Sequence, residues 1–351
     1  MYVNLTELKH GMGYSYLKER TFPYTEETET RKNMIFCGWE KNGENFWLNF
    51  TRDPRRVFVC GRTGCGKTHL MRALVDRIWQ KNHVAILTDI ENEWISSVQP
   101  NADLNVENVR KNKFGDTVEF AQGMPIVSFQ PWFIAKKNGM EEGCEPLQLS
   151  WNDLDFESFV TLLGYDNSKL EDVGIINGVL RSLWNKIENR ELNGPQEMID
   201  YMQESKMHSS TKTSLSPLIF NLVNEGVIGE EYDNNFIERM SEDRVCVLNV
   251  KNWQGNLSYV QTYVDVIMKQ IARAKRQGKL KKDIYLFLDE AQKFAPSSGN
   301  PSSKETIIVA IKEWRKLGIS IFLATQFPNS VARDAKSQCS YFFVAGKSDK
   351  D

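Results

Sequence analysis

From about residue 56 onward, short uninterrupted runs of apolar residues alternate with longer segments whose apolar residues recur every three or four positions. Such runs are typical of strands buried on both faces of a sheet, and the recurring pattern is typical of amphipathic helices. The alternation predicts an α/β fold with a mostly parallel sheet covered by helices on both faces. The predicted strands are RVFVC (56–60), HVAILTDI (83–90), MPIVSF (124–129), RVCVLNV (244–250), IYLFL (284–288), ISIFLATQ (319–326) and SYFFVAG (340–346).

Two regions depart from this alternation. Beyond residue 130 the pattern becomes mostly helical, with apolar residues at four-residue steps from Ile175 to Ile187. Near the N-terminus, MIFCGWEKNGENFWLNF predicts two strands joined by a turn at KNGEN. The predicted units are an N-terminal arm and β hairpin (1–55), an α/β core (56–130 and 241–351) and a mostly helical insertion (131–240).

The segment GRTGCGKT follows the first predicted core strand and precedes a helix. It matches G-x-x-x-x-G-K-[ST], whose glycines let backbone N–H groups turn toward nucleotide phosphates at the start of a helix. The lysine neutralises phosphate charge, and the final hydroxyl is a ligand for Mg²⁺. A glycine turn that binds nothing is the alternative, which the strand–helix context disfavours. The predicted nucleotide-binding residues are Gly61, Arg62, Thr63, Gly64, Cys65, Gly66, Lys67 and Thr68, with Thr68 also a predicted Mg²⁺ ligand.

Two adjacent carboxylates, Asp289 and Glu290, end the apolar strand IYLFL. A carboxylate in an apolar setting is costly unless a positive charge compensates it. A Mg²⁺–nucleotide at the glycine-rich loop would supply that charge, so we predict that Asp289 holds Mg²⁺ and that Glu290 orients or deprotonates the attacking water. A helix-capping pair of acids is the alternative, because both residue types favour a first helical turn.

Three further polar residues follow predicted strands. Gln326 ends FLATQ, and Asp89 and Glu93 lie in ILTDIENEW. Because α/β sheets bind ligands at the carboxyl ends of their strands, we predict Gln326 as a γ-phosphate sensor and Asp89 and Glu93 as nucleotide-site residues. The alternatives are a capped turn before Pro328 for Gln326 and solvated turn residues for the two acids.

The formal net charge of −2 means that any contact with nucleic acid must be local. Residues 269–282 contain seven Lys and Arg and no acid, which indicates either such a contact or a solvated helix end. No apolar run approaches the roughly 20 residues that cross a bilayer, and the N-terminus lacks a signal-peptide pattern. We therefore expect a cytoplasmic protein that does not enter a membrane.

The motifs GRTGCGKT, TDIENEW, LFLDEAQKFAP, EWRKLGISIFLATQ and SQCSYFFV occur in an order similar to that of the HerA/FtsK superfamily of P-loop translocases. The archaeal HerA-like branch is most similar, because its second motif resembles residues 89–94 and its Walker B strand also runs into Asp-Glu-Ala. The resemblance covers about residues 33–346, loosely over 100–240. It implies a RecA-like P-loop NTPase core, here with a helical insertion and a small N-terminal β hairpin element in place of the full N-terminal β-barrel.

The resemblance also implies roles for single residues. These are phosphate and Mg²⁺ binding for Lys67 and Thr68, metal support for Asp289, catalytic base for Glu290 and sensor for Gln326. In the family, an arginine in the region of Arg315 reaches into the neighbouring subunit's site, where a cation stabilises charge on the γ-phosphoryl group. A helix-end residue beside Glu313 is the alternative reading of Arg315.

The family assembles hexameric rings that hydrolyse ATP between subunits and pump double-stranded DNA through a central pore. The resemblance therefore implies ATP and Mg²⁺ as cofactors, a homo-hexamer, and double-stranded DNA as a partner. Three functions stay open: a HerA-like DNA translocase or helicase with a partner nuclease, a viral genome-packaging or conjugative DNA-transfer ATPase, and a P-loop scaffold that does not move DNA. Residues 295–304, soon after Glu290, are either a pore loop or a plain surface loop.

Overall fold

The computed structural model describes residues 2–4, 34–39, 45–49, 56–79, 82–98, 123–167, 169, 174–192, 194–205 and 208–345. Within these ranges the strands are β1 (Tyr2–Asn4), β2 (Met34–Trp39), β3 (Asn45–Asn49), β4 (Arg56–Gly61), β5 (His83–Asp89), β6 (Ile126–Pro131), β7 (Cys144–Leu147), β8 (Val245–Asn249), β9 (Ile284–Leu288), β10 (Ile319–Thr325) and β11 (Tyr341–Ala345).

The helices of the described ranges follow the same chain order. They are α1 (Lys67–Ile78), α2 (Trp132–Asn138), α3 (Phe156–Leu162), α4 (Gly174–Glu188), α5 (Pro195–Glu204), α6 (Ser209–Asn224), α7 (Phe236–Ser241), α8 (Leu257–Arg276), α9 (Ser302–Glu313) and α10 (Arg333–Ser337). None of these helices is both long enough and apolar enough to cross a bilayer.

Nine strands form one sheet in the order β1-β11-β4-β10-β9-β5-β8-β6-β7, and every neighbouring pair is parallel. The predicted mostly parallel sheet is confirmed. Strand β10 lies between β4 and β9, with Thr325 beside Cys60 and Leu323 beside Leu288. The carboxyl ends of β4, β10 and β9, which precede the three predicted site segments, therefore meet at one edge of the sheet.

All seven predicted strands are present, and β2 pairs with β3 antiparallel, as predicted. The predicted turn at KNGEN lies outside the described residues except for Asn45. The sequence pattern misses β1 and β7, which are the two outermost strands of the sheet. β7 reads CEPL, a short segment with Glu145 and Pro146 that shows no strand pattern, and proline is tolerated in sheets chiefly on an edge strand. It lies within the predicted insertion, whose other main elements are helices, and the domain boundaries stay a prediction.

The apolar strands bury side chains on both faces of the sheet, as the absence of polar alternation predicts. On β9, Tyr285 and Phe287 pack with the core residues of α1, while Leu286 and Leu288 pack on the opposite face with α8, α9 and the helices that precede β8. All five residues of β9 and all seven of β10 are buried. This double burial fixes the two strands that deliver the polar residues of the site.

Candidate active site

The glycine-rich loop turns between β4 and α1 as its sequence predicts. Gly64 and Gly66 adopt left-handed backbone angles, with φ of 74° and 97°. Gly66 precedes α1 and offers no side chain to cap the first N–H groups of the helix. A helix start with uncapped N–H groups and a positive dipole end is suited to an anion such as phosphate.

Lys67 and Thr68 begin α1 beside this loop. The Lys67 ammonium donates hydrogen bonds to the backbone carbonyls of Gly61 (2.9 Å) and Arg62 (3.1 Å), and its side chain is buried. The charge is thus held inside the loop, where phosphate oxygens are better acceptors for an ammonium than neutral carbonyls. Thr68 is partly exposed, whereas Arg62, Thr63 and Gly64 face solvent. The loop therefore fits a nucleoside triphosphate.

Asp289 follows β9 and is held by Thr88 of the adjacent strand β5. The backbone N–H of Asp289 donates to the Thr88 hydroxyl (2.6 Å), which in turn donates to the carbonyl of Asp289 (2.9 Å). Burial raises the pKa of the Asp289 carboxyl above its usual range. The nearby charges of Glu290 and Glu93 raise it further, against opposing effects of the Glu290 N–H and the Lys67 ammonium.

The charges around the Asp289 carboxyl show that the site suits a metal cation. The charges of Glu290 and Glu93 act on the buried Asp289 carboxyl against that of Lys67. Lys293 and Arg72 lie 4.0 Å and 3.7 Å from those two acids, and the pKa of Asp289 is raised all the same. A divalent cation is the group that would relieve this imbalance. Within the described ranges, no group of three or more His, Cys, Asp or Glu side chains is arranged to hold a metal ion by itself. Nucleotide phosphates would therefore have to complete the coordination, as they do in Mg²⁺–nucleotide sites.

Glu290 occupies a strained backbone conformation, with φ of 50° and ψ of 42°. Such left-handed angles are unusual for a residue with a side chain and tend to occur at functional sites. Its backbone N–H donates to Oδ1 of Asp289 (2.8 Å), so the two carboxylates are linked. Its own carboxylate accepts hydrogen bonds from Gln326 Nε2 (2.9 Å) and Gln292 Nε2.

Gln326 connects Glu290 with the glycine-rich loop. Its Nε2 donates to Glu290 Oε1, and its Oε1 accepts from the hydroxyl of Thr63 (2.6 Å). Hydrogen-bonded side chains thus connect the loop after β4, through the end of β10, with the end of β9. The structure therefore brings together the predicted loop residues, Asp289, Glu290 and Gln326.

Asp89 has a structural task at the end of β5. Its two carboxylate oxygens accept hydrogen bonds from the backbone N–H groups of Glu93 (3.0 Å) and Trp94 (3.1 Å), which begin a short 3₁₀ helix. Asp89 is buried, and burial raises the pKa of its carboxyl above the usual range. Glu93 is exposed and lies 3.7 Å from Arg72, while its charge reaches Asp289. Asp89 is thus committed to its own turn, whereas Glu93 contributes charge that acts on Asp289.

Arg315 lies at the opposite edge of the sheet. It is exposed on a short 3₁₀ helix, Trp314–Leu317, which precedes β10. The seven residues of β10 separate this helix from Gln326, a distance of roughly 20 Å at about 3.3 Å per residue. Arg315 therefore does not belong to the group formed by Lys67, Glu290 and Gln326 of its own chain.

Four polar residues of this site were not singled out by the sequence. Thr88 holds the Asp289 backbone, Gln292 contacts Glu290, and Lys293 has its ammonium 4.0 Å from the same carboxylate. Thr325 contacts Gln292 (2.6 Å). The available signal was position alone, because each lies at the end of a buried strand or within five residues after it, and threonine is common in strands in any case.

Comparison with known families decides which kind of protein carries this site. Residues 54–271, more than half of the chain, match the family model described as the central domain of helicase HerA. The chain belongs to this family. The predicted resemblance to the HerA/FtsK superfamily is confirmed, and so is the predicted enzyme class, a P-loop ATPase with ATP and Mg²⁺ as cofactors. A second family model, zonular occludens toxin (Zot), matches residues 240–345.

Solved structures share the fold of this HerA-family ATPase. VirB4 of Thermoanaerobacter pseudethanolicus is 13% identical, with a TM-score of 0.56 over 90% of this chain and 85% of VirB4. The bacterial conjugative coupling protein TrwB, in a form with sulphate, is 14% identical, with a TM-score of 0.53 over 84% of this chain and 71% of TrwB. At such identities the likeness concerns the fold alone, and it confirms the RecA-like core. No curated protein matches the chain.

The raised pKa of Asp289 predicts that this carboxylate destabilises the fold when no cation is bound. Asp289→Asn removes the charge while keeping an oxygen that accepts the N–H of Glu290. Without nucleotide at neutral pH, we expect a modest gain in the free energy of unfolding, seen in a chain this long as a rise of about 1 °C in the thermal midpoint. The gain is present where wild-type Asp289 is ionised and shrinks as the pH falls through its raised pKa, because the acid is then neutral as well.

Differential scanning fluorimetry across a pH series measures this difference, with Asp334→Asn as an exposed aspartate control. A lower midpoint for Asp289→Asn than for wild type at neutral pH would contradict the electrostatic reading of the site.

Proposed function

We propose that this protein is an ATP-driven motor that moves double-stranded DNA as a homo-hexameric ring. The observation that carries the proposal is the meeting of the Lys67 loop, the Asp289–Glu290 pair and Gln326 at one edge of the sheet. Membership of the helicase HerA family supports the coupling of this site to DNA. A scaffold that only binds ATP needs neither a carboxylate on a strained backbone, as at Glu290, nor an amide hydrogen-bonded to it, as at Gln326.

In this proposal the residues divide the work by position. Lys67 exchanges its two carbonyl partners for phosphate oxygens, and the N–H groups at the start of α1 hold the same phosphates. Thr68 and Asp289 hold Mg²⁺, which supplies positive charge at the phosphates. Glu290 accepts a proton from the attacking water, and Gln326 reports the state of the nucleotide to it through their hydrogen bond.

Arg315 acts on the neighbouring subunit in this proposal. Since it lies roughly 20 Å from its own site along β10, it can serve a nucleotide only across an interface. A head-to-tail ring brings one edge of each subunit to the opposite edge of the next, so each site receives the arginine of its neighbour. A cation there stabilises charge on the transferring phosphoryl group.

The DNA contacts need be few on each subunit, because six copies combine their weak contacts. That reconciles a net charge of −2 with a polyanionic partner. The basic segment 269–282 is partly structural: Lys269 pairs with Asp155 and Asp265, and Lys275 donates to backbone carbonyls. In the segment 295–304, only residues 297–299 are fully exposed among otherwise anchored neighbours.

A conjugative or packaging motor is the second candidate, and it would use the same chemistry with a different partner protein. The fold shared with VirB4 and with a conjugative coupling protein over most of the chain favours this candidate. Both candidates require hydrolysis that responds to duplex DNA, whereas a partner nuclease belongs to the first and a transfer or packaging partner to the second.

The motor proposal predicts that duplex DNA increases the rate of ATP hydrolysis and that ATP with DNA promotes hexamers. Glu290→Gln is expected to lower kcat by at least about 100-fold while nucleotide affinity stays unchanged, because the amide cannot accept the proton. Mass photometry and a coupled ATPase assay, each with and without DNA, measure these quantities. A strict monomer whose hydrolysis ignores DNA would end the motor proposal, and normal hydrolysis by Glu290→Gln would remove the assigned base.

The position of Arg315 predicts complementation between two inactive variants. Arg315→Ala is expected to lower ATPase activity about 1000-fold, as loss of an arginine finger does. In an equal mixture with Glu290→Gln, roughly a quarter of the head-to-tail interfaces pair an intact Glu290 with an intact Arg315, so activity returns.

The exposed neighbour Lys316→Ala serves as the control and is expected to keep wild-type activity. Mixed rings that form yet stay inactive would show that Arg315 does not act across the interface.

A further inference from the structure

The two oxygens of the Glu290 carboxylate have different partners. Oε1 accepts a hydrogen bond from Gln326, whereas Oε2 accepts one from Gln292 and lies 4.0 Å from the ammonium of Lys293. We propose that Gln292 is a positioning residue that anchors Oε2, so that Oε1 is the oxygen that takes the proton from the attacking water. This inference rests on the proposed role of Glu290 as base.

The orientation of the Gln292 amide is fixed by Thr325. The Thr325 hydroxyl accepts the backbone N–H of Phe327 (3.0 Å), so its single proton is available to donate to Gln292 Oε1 (2.6 Å). With its oxygen facing Thr325, the amide turns its NH₂ group toward Glu290. Thr325 is fully buried at the end of β10, which makes this anchor part of the sheet rather than of a loop.

The partner of Oε1 is held less firmly. Gln326 lies beyond the end of β10 and is partly exposed, and its other contact is the hydroxyl of Thr63, which faces solvent on the glycine-rich loop. A phosphate bound in that loop competes with the Gln326 amide oxygen for the hydroxyl of Thr63, because charged acceptors form stronger hydrogen bonds than an amide does. Nucleotide binding would thereby remove the contact that holds Gln326 at Oε1, while Oε2 stays bound to Gln292.

Lys293 strengthens the difference between the oxygens. Its ammonium lies between the Glu290 carboxylate and the ring of Trp253, at 5.1 Å from the ring centroid, and its backbone carbonyl accepts a hydrogen bond from Gln261 (2.6 Å). Positive charge beside Oε2 repels an incoming proton there, so the proton is directed to the other oxygen.

The chemical step balances with this assignment. One O–H bond of water breaks, and its proton passes to Oε1 of Glu290 while the water oxygen forms a bond to the γ-phosphorus. The bond from that phosphorus to the bridging oxygen of ADP breaks, and the electron pair leaves with ADP. The carboxylic acid then returns its proton to the released phosphate or to solvent, so that Glu290 is ready for the next turnover.

The first test is Gln292→Leu, assayed without DNA so that the DNA proposal is not involved. We expect kcat to fall about 10- to 100-fold, as for loss of one hydrogen bond to a charged group, with the Kd of a non-hydrolysable ATP analogue unchanged. Gln277→Leu, an exposed glutamine after α8, is the control with no expected change.

The second test removes the anchor of the amide. Thr325→Val keeps the shape of the side chain but lacks the hydroxyl, so kcat should fall, and Thr325→Ser should restore most of the loss. Adding Thr325→Val to Gln292→Leu should cost little more, since both act on one contact. Normal kcat in Gln292→Leu, with Glu290→Gln inactive, would overturn this inference alone. An active Glu290→Gln would instead overturn the proposed base.

Discussion

The burial of Asp289 at the carboxyl end of β9 is the constraint on which the site depends. A carboxylate placed there without a compensating cation is unfavourable, and its pKa is raised accordingly. The surroundings do not offset this cost: the charge of Lys67 lowers the pKa, but burial and the charges of Glu290 and Glu93 raise it. The sheet therefore holds a destabilised group at a place that a metal–nucleotide complex would stabilise.

Parallel strand pairing brings the other residues of the site to the same edge of the sheet as Asp289. β10 lies between β4 and β9, so the loop with Lys67, the amide of Gln326 and the carboxylate of Glu290 all leave the sheet at one edge. The same arrangement sends Arg315 to the other edge, because it precedes β10. One strand thus determines which groups act within a subunit and which could act only between subunits.

The strands and the glycine-rich loop could be predicted because each depends only on residues that are adjacent in the chain. Buried strands such as β9 appear as unbroken apolar runs, and the glycines of the loop identify a phosphate cradle by their spacing. The partners of each side chain depend on strand order, which no local pattern contains. Asp89 and Glu93 therefore looked equivalent in sequence, although Asp89 caps a 3₁₀ helix and the charge of Glu93 acts on Asp289. The contact of Thr325 with Gln292 could not be predicted for the same reason.

A crystal structure with Mg²⁺ and a non-hydrolysable ATP analogue tests the shared nucleotide site most directly. We predict phosphates on the Lys67 loop, a metal held by Thr68 and by Asp289 directly or through water, and Glu290 facing the γ-phosphate. An analogue bound elsewhere, or one bound to the loop with Asp289 and Glu290 turned away from it, would show that these residues do not form one nucleotide site.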